Sequence, residues 1–222
     1  MTYRTYTTYM NIIAKHGGYE NLKSFQMAQI AYDLNFQFCE KYVPSHKMRD
    51  QMEGAGRGGA QNIGEGSRTS GTSKQSELRL VNVARASLDE LKLDYEAFLR
   101  QRNLPMWDKN DSRILVIRKL AYEPNRTYKT YMTYMTGPES AANCVLCVIN
   151  QANYLLDQQL RSLEKDLMEK GDFRERYKEA RNEEFKKQWL GSKEDDLDFL
   201  KSQGLRRLEN GRVVDINDPA EK

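Results

Sequence analysis

Residues 51–68 read QMEGAGRGGAQNIGEGSR, and residues 74–99 read KQSELRLVNVARASLDELKLDYEAFL. The second stretch is a strong amphipathic helix. Leu78, Val81, Leu88, Leu91, Tyr95 and Phe98 recur at intervals of three and four, as one buried stripe requires. The first stretch is unusually small for a helix, with glycines at 54, 56, 58 and 59. Each glycine in a helix interior costs about 1 kcal/mol relative to alanine. Four of them are tolerable only where two backbones must approach closely. The pair therefore reads as a tightly packed helical hairpin, and the fold class as all-α.

Outward from that hairpin the same periodicity continues. A first helix is expected over about Glu20–Tyr42, with Phe25, Ile30, Leu34, Phe38 and Val43 inward and Pro44 as its stop. The glycine-rich helix is expected from a Ser45 cap to Glu65, with Gly66 ending it. The third spans about Ser73–Arg102. Asn110-Asp111-Ser112 caps a short helix through Ile114, Leu115, Ile117, Leu120 and Tyr122. Pro138-Glu139-Ser140 opens a fourth long helix with Val145, Ile149, Ala152, Leu156, Leu160, Leu163 and Leu167 as its stripe. Long helices on short connections favour an antiparallel up-and-down four-helix bundle over residues 20–168.

Two tracts stand apart. Residues 1–11 and 126–136 share a Thr-Tyr-x unit, placing tyrosines at 3, 6, 9 and at 128, 131, 134. Tyrosine ladders suit base stacking, yet only Arg4, Arg126 and Lys129 accompany them. They read as low-complexity decoration of an N-terminal segment (1–19) and of a loop (124–137). Residues 169–222 form a C-terminal suffix: a charged helix whose apolar residues drift around the cylinder, then LRRLENGRVVDI, where Asn210-Gly211 suggests a type I′ hairpin.

Composition excludes little. The chain has 222 residues and a net charge of +3, so nucleic-acid binding depends on where cations cluster. No apolar run is long enough to cross a bilayer, and the first residues open no signal peptide. Three cysteines fit a reducing cytoplasm better than a disulfide framework.

Catalytic motifs fail on context. Gly54, Gly56 and Gly59 satisfy G-x-G-x-x-G, but that loop needs a strand before it and a helix after it. The run from Gly66 to Ser73 is close to a P-loop but lacks its lysine. Cys144 and Cys147 form a C-x-x-C inside a helix, with Cys39, His16 and His46 as conceivable partners. Zinc needs four convergent ligands and redox pairs sit at a helix start, so buried core thiols are expected, without metal or cofactor. No nucleophile–base set assembles, and the chain reads as a non-enzyme. The better lead is cationic: Arg57, Arg68, Lys74, Arg79, Arg85 and Lys92 run along helices two and three, and Arg113, Arg118 and Lys119 follow. Acids interspersed among them dilute the field, which repetition around an oligomer would strengthen.

Asn62-Ile63-Gly64-Glu65-Gly66-Ser67-Arg68, followed by Asn82-Val83-Ala84-Arg85-Ala86-Ser87-Leu88-Asp89-Glu90-Leu91, resembles the hallmark of the bacterial four-helix bundle protein family. That family includes ribosomal RNA intervening-sequence proteins and diversity-generating retroelement accessory proteins. The resemblance covers about residues 20–168, and the remainder resembles the suffix carried by one branch. Glu53 and Gly54 stand where many relatives carry paired arginines. The resemblance implies a non-enzymatic bundle that assembles as a ring, typically a pentamer. It also implies structural roles for Asn62, Glu65, Gly66, Ser87 and Glu90, with RNA or DNA and a polymerase as partners. The expected function is thus a ring-forming adaptor for nucleic acid. The alternative is a protein-interaction scaffold that docks a partner through its suffix helix, without nucleic acid.

Overall fold

The computed structural model describes residues 17–208 and 211–217. The N-terminal Thr/Tyr tract with Tyr3, Tyr6 and Tyr9 lies outside the described residues, as do His16, Glu209 and Asn210. The chain is mostly helical with one small antiparallel two-stranded sheet, as the all-α expectation required. Its contacts divide it into two units, residues 1–173 and 174–222.

The first unit holds α1 (Lys23–Tyr42), α2 (His46–Thr69), α3 (Lys74–Gln101), α4 (Ser112–Leu120) and α5 (Pro138–Lys170). Helix α1 packs against α2 and α5, α2 against α3, and α3 against α5, while α4 lies on α5. The helix starts follow the capping chemistry read from sequence. Ser45 Oγ accepts the Met48 N–H at 3.4 Å, Ser73 Oγ accepts that of Ser76 at 3.1 Å, and Asp111 accepts that of Arg113 at 2.9 Å. Pro138 occupies the first turn of α5, and Gly171 ends that helix at φ +65°.

One boundary differs. Helix α2 does not stop at Gly66 but continues to Thr69. Gly66 is buried where α2 meets α3: a Cβ there would lie 3.3 Å from the Glu77 carbonyl oxygen and 3.4 Å from Leu80 Cβ. The glycine is present for helix approach, which competes with its use as a terminator. Gly59 is tighter still, since a Cβ would come within 2.5 Å of Leu88 Cδ2.

The core centres on Phe38, Tyr95 and Phe98, whose ring centroids lie 4.7–4.8 Å from Phe38 to each partner. Within it sits a fully buried asparagine. Asn35 Oδ1 accepts from Tyr95 Oη at 2.9 Å, and Asn35 Nδ2 donates to the Met52 carbonyl at 3.0 Å. One amide thereby ties α1 to α2 and α3.

The Thr/Tyr tract at 124–137 is not decoration. Tyr128–Tyr134 forms a 3-10 helix with a Thr127/Thr130 capping box. Three residues per turn place 128, 131 and 134 on one face. Tyr131 is fully buried, with Tyr128 and Tyr134 packed partly against the core. The Met135 carbonyl accepts from Tyr42 Oη at 3.2 Å and Lys41 Nζ at 3.4 Å. A residue so enclosed cannot stack on a base.

Helix α6 (Phe173–Ser202) begins where the first unit ends, and none of its residues is buried. In the second unit β1 (Leu205–Arg207) pairs antiparallel with β2 (Val213–Asp215). The Leu208 N–H bonds to the Arg212 carbonyl and the Gly211 N–H to the Leu208 carbonyl, with Gly211 at φ +85°. The type I′ turn expected on Asn210-Gly211 falls partly outside the described residues, of which Gly211 takes the left-handed conformation.

Candidate functional site

The six cations singled out along α2 and α3 differ in exposure and pairing. Arg57, Arg68 and Arg79 are exposed, whereas Lys74, Arg85 and Lys92 are half-buried and engaged. Lys74 Nζ lies 2.8 Å from Glu77 Oε2, Arg85 Nε 2.7 Å from Asp157 Oδ1, and Lys92 Nζ 3.7 Å from Glu96 Oε1. Such pairs add little stability, but they cancel charge where a phosphate would need it. Arg68 is turned onto Tyr19, donating to its hydroxyl at 2.9 Å with the guanidinium 5.0 Å from the ring centre.

The motif residues are also redistributed. Asn62 Nδ2 bonds back to the Gly58 carbonyl at 2.9 Å, inside α2. Glu65 and Glu90 are exposed and make no hydrogen bond or ion pair among the described residues. Neither Asn62 nor Glu65 bonds through its side chain into the α2–α3 turn among the described residues. Hydroxyls do it instead: Thr69 Oγ1 donates to the Gly66 carbonyl at 3.0 Å and Ser70 Oγ to that of Ser67 at 2.8 Å. Asp172 then accepts the Lys74 N–H at 2.8 Å at the start of α3. Ser87 keeps a packing role, since its Oγ would lie 3.0 Å from a Cβ at Gly58.

A concavity lies elsewhere. A cavity of about 690 Å³ opens between the start of α1, α3, the segment 106–126 and the middle of α5. Its apolar floor includes Met27, Ile114, Leu146 and Leu155. Four cations line it, Lys23, Lys109, Arg118 and Arg126, against the single carboxylate Glu96. Three aromatic side chains join them: Trp107, Tyr122 and Tyr154. Tyr122 is 82% exposed and Tyr154 63% exposed.

Trp107 is rigidly held. Its backbone N–H donates to Asn143 Oδ1 at 2.8 Å, and its indole N–H to Glu139 Oε1 at 2.7 Å. The Arg113 guanidinium lies 3.7 Å from the ring centre. Arg113 in turn is fixed to Asp111, whose carboxyl its hydrogen bonds hold down at about 2. Two buried polar atoms on the cavity-lining residues lack a hydrogen-bond partner: the donor Arg126 Nε and the acceptor Gln151 Oε1.

The cysteines are free and buried, as their helical context implied. Burial pushes the Cys147 thiol up to about 11 and that of Cys39 to about 12, and raises Cys144 as well. Among the described residues no group of three or more His, Cys, Asp or Glu side chains converges on a metal-sized site. No described helix is long and apolar enough to cross a membrane.

Neither a scan of protein-family models nor searches of the curated proteins and of the solved structures find a match for this chain. Of the cavity residues, sequence reading had picked out Arg118 among the cations after α3. Lys23, Lys109, Trp107 and Tyr154 carried no local signal. They belong to three separate segments, and only the packing of those segments assembles them.

Proposed function

We propose that the chain is a non-enzymatic adaptor that binds single-stranded nucleic acid through the α4–α5 face of a helical bundle. The pairwise packing of α1, α2, α3 and α5 around a common core supports an antiparallel up-and-down four-helix topology. The observation that carries the functional reading is the cavity, with four cations, one carboxylate and three aromatic rings. Cations tracking a backbone and rings offering π faces are what sequence-tolerant binding of single strands uses. Thiols raised to about 11 and 12 are poor nucleophiles, in keeping with a binding role. Assembly into a ring would repeat the face and raise its avidity.

A second reading rests on α6. Phe185, Trp189 and Phe199 are exposed on a helix with no buried residue, which suits a scaffold that docks a protein partner. Salt separates the two, because phosphate contacts weaken steeply with ionic strength and apolar docking does not. Fluorescence anisotropy of labelled single- and double-stranded RNA and DNA, at low and moderate salt, is the test. Single strands should bind better, and Arg118→Gln with Lys119→Gln should weaken them more than Arg85→Gln with Lys92→Gln. An oligomer of measured mass that binds no strand at low salt would leave the scaffold as the better account.

A further inference from the structure

We infer that the cavity between α1, α4 and α5 seats one unstacked nucleotide, its base against Trp107 and its phosphate against Arg118 and Arg126. This rests on the nucleic-acid reading and specifies its ligand. The ligand can be a nucleotide of a strand or a free mononucleotide, since both present the same base and phosphate. The cavity volume, about 690 Å³, lies within the range of small-molecule sites.

Three features select an aromatic anion. First, the charge is one-sided, and the one acid at the wall, Glu96, is already 3.7 Å from Lys92 Nζ. Second, Trp107 needs no ordering on binding. Its two N–H groups are committed and Arg113 lies over the ring, so the indole is held at the cavity wall before a planar ligand arrives. Third, Arg126 Nε and Gln151 Oε1 are a donor and an acceptor buried without partners. Buried polar atoms left unpaired are costly. Both atoms are closed to solvent, so pairing Arg126 with a phosphate oxygen and Gln151 with a base N–H requires the two side chains to turn toward the cavity on binding. One other group on each of these two residues is already placed. Gln151 Nε2 donates to the Arg118 carbonyl at 2.9 Å, and an Arg126 terminal nitrogen to Gln26 Oε1 at 3.1 Å.

The chain contains two tryptophans, so full-length Trp189→Phe leaves Trp107 as the only indole. In that background AMP should quench Trp107 fluorescence saturably. Adenosine, which lacks the phosphate, and ribose 5-phosphate, which lacks the base, should each bind at least about tenfold more weakly, the loss of one charged or stacking contact. Arg118 is exposed, and its side chain meets only the Lys109 carbonyl and the Cys147 thiol among the contacts described, so Arg118→Gln should fold normally and weaken AMP by about tenfold. A short single-stranded oligonucleotide should displace AMP if the natural ligand is a strand. AMP binding without oligonucleotide binding would keep the pocket, assign it a free nucleotide and remove the nucleic-acid reading. Salt-sensitive oligonucleotide binding with no AMP quenching at millimolar concentration would overturn the pocket alone. AMP binding that is indifferent to Arg118→Gln and matched by ribose 5-phosphate would also overturn it. Failure of both ligands removes both proposals.

Discussion

The α2–α3 seam and the α4–α5 cleft solve opposite problems with the same kind of element. Along the seam, glycines at 59 and 66 bring backbone against side chain or backbone, so that a single added methyl meets Leu88 or Glu77. At the cleft, the segment from 106 to 126 carries a nine-residue helix that packs on α5 yet leaves about 690 Å³ unfilled beside it. Lys74 and Arg85, at the two edges of α3, are matched by carboxylates. The cleft concentrates cations against one carboxylate. Interfaces that must close are built from residues with nothing to solvate. One that stays open can hold charge because water or a ligand remains beside it.

The sharpest way to break the contrast is at the polar tie of the tight side. Asn35→Ala strands the Tyr95 hydroxyl in the core and removes the tie to the Met52 carbonyl. It should cost about 3 kcal/mol in denaturant unfolding, with a clear fall in Tm. Gly59→Ala comes next. The clash with Leu88 outweighs the gain in helix propensity, and a net loss of about 1–2 kcal/mol is expected. Gly54 sits on the same helix with open space around its missing Cβ. Gly54→Ala should therefore stabilise by up to about 1 kcal/mol. Opposite signs for two glycines five residues apart would locate the seam; matching signs would remove it.

The smallest expected effect concerns thiol reactivity. Desolvation raises all three cysteines, but Arg118 partly opposes it at Cys147, which lines the cleft. A thiol reagent at mildly alkaline pH should modify the native protein slowly, and peptide mapping should find Cys147 modified before Cys39 or Cys144. As pH rises toward about 11 the Cys147 rate should climb first, because the reactive thiolate appears as the pKa is approached. Equal rates would mean that the cleft gives Cys147 no special environment.

Helix existence, most helix starts and the inward stripe of α3 were legible in the chain, because capping and periodicity act over a few residues. Ser45, Ser73 and Asp111 cap helices for reasons contained in their own neighbourhoods. The glycine-rich stretch also declared its purpose, since only close packing offsets that much lost propensity. Gly66 shows where local reading stops. The same residue terminates a helix in isolation and continues one when a second helix is pressed against it. Tyr131 shows it again, as a repeat that looks like low complexity until three-residue turns align it on the core.

The candidate site lay almost wholly beyond sequence reading. Cations counted along α2 and α3 were counted by chain order, and half of them proved to be paired in place by Glu77, Asp157 and Glu96. The cleft is assembled from Lys23, Trp107, Arg118, Arg126 and Tyr154, which no spacing rule connects. By itself the sequence determined that this chain is helical, where its helices begin, and which faces turn inward, because propensity, capping and amphipathic period are short-range. Tertiary structure alone decided which charges remain free and where aromatic rings meet them, because electrostatic pairing and concavity depend on distances between segments far apart in the chain.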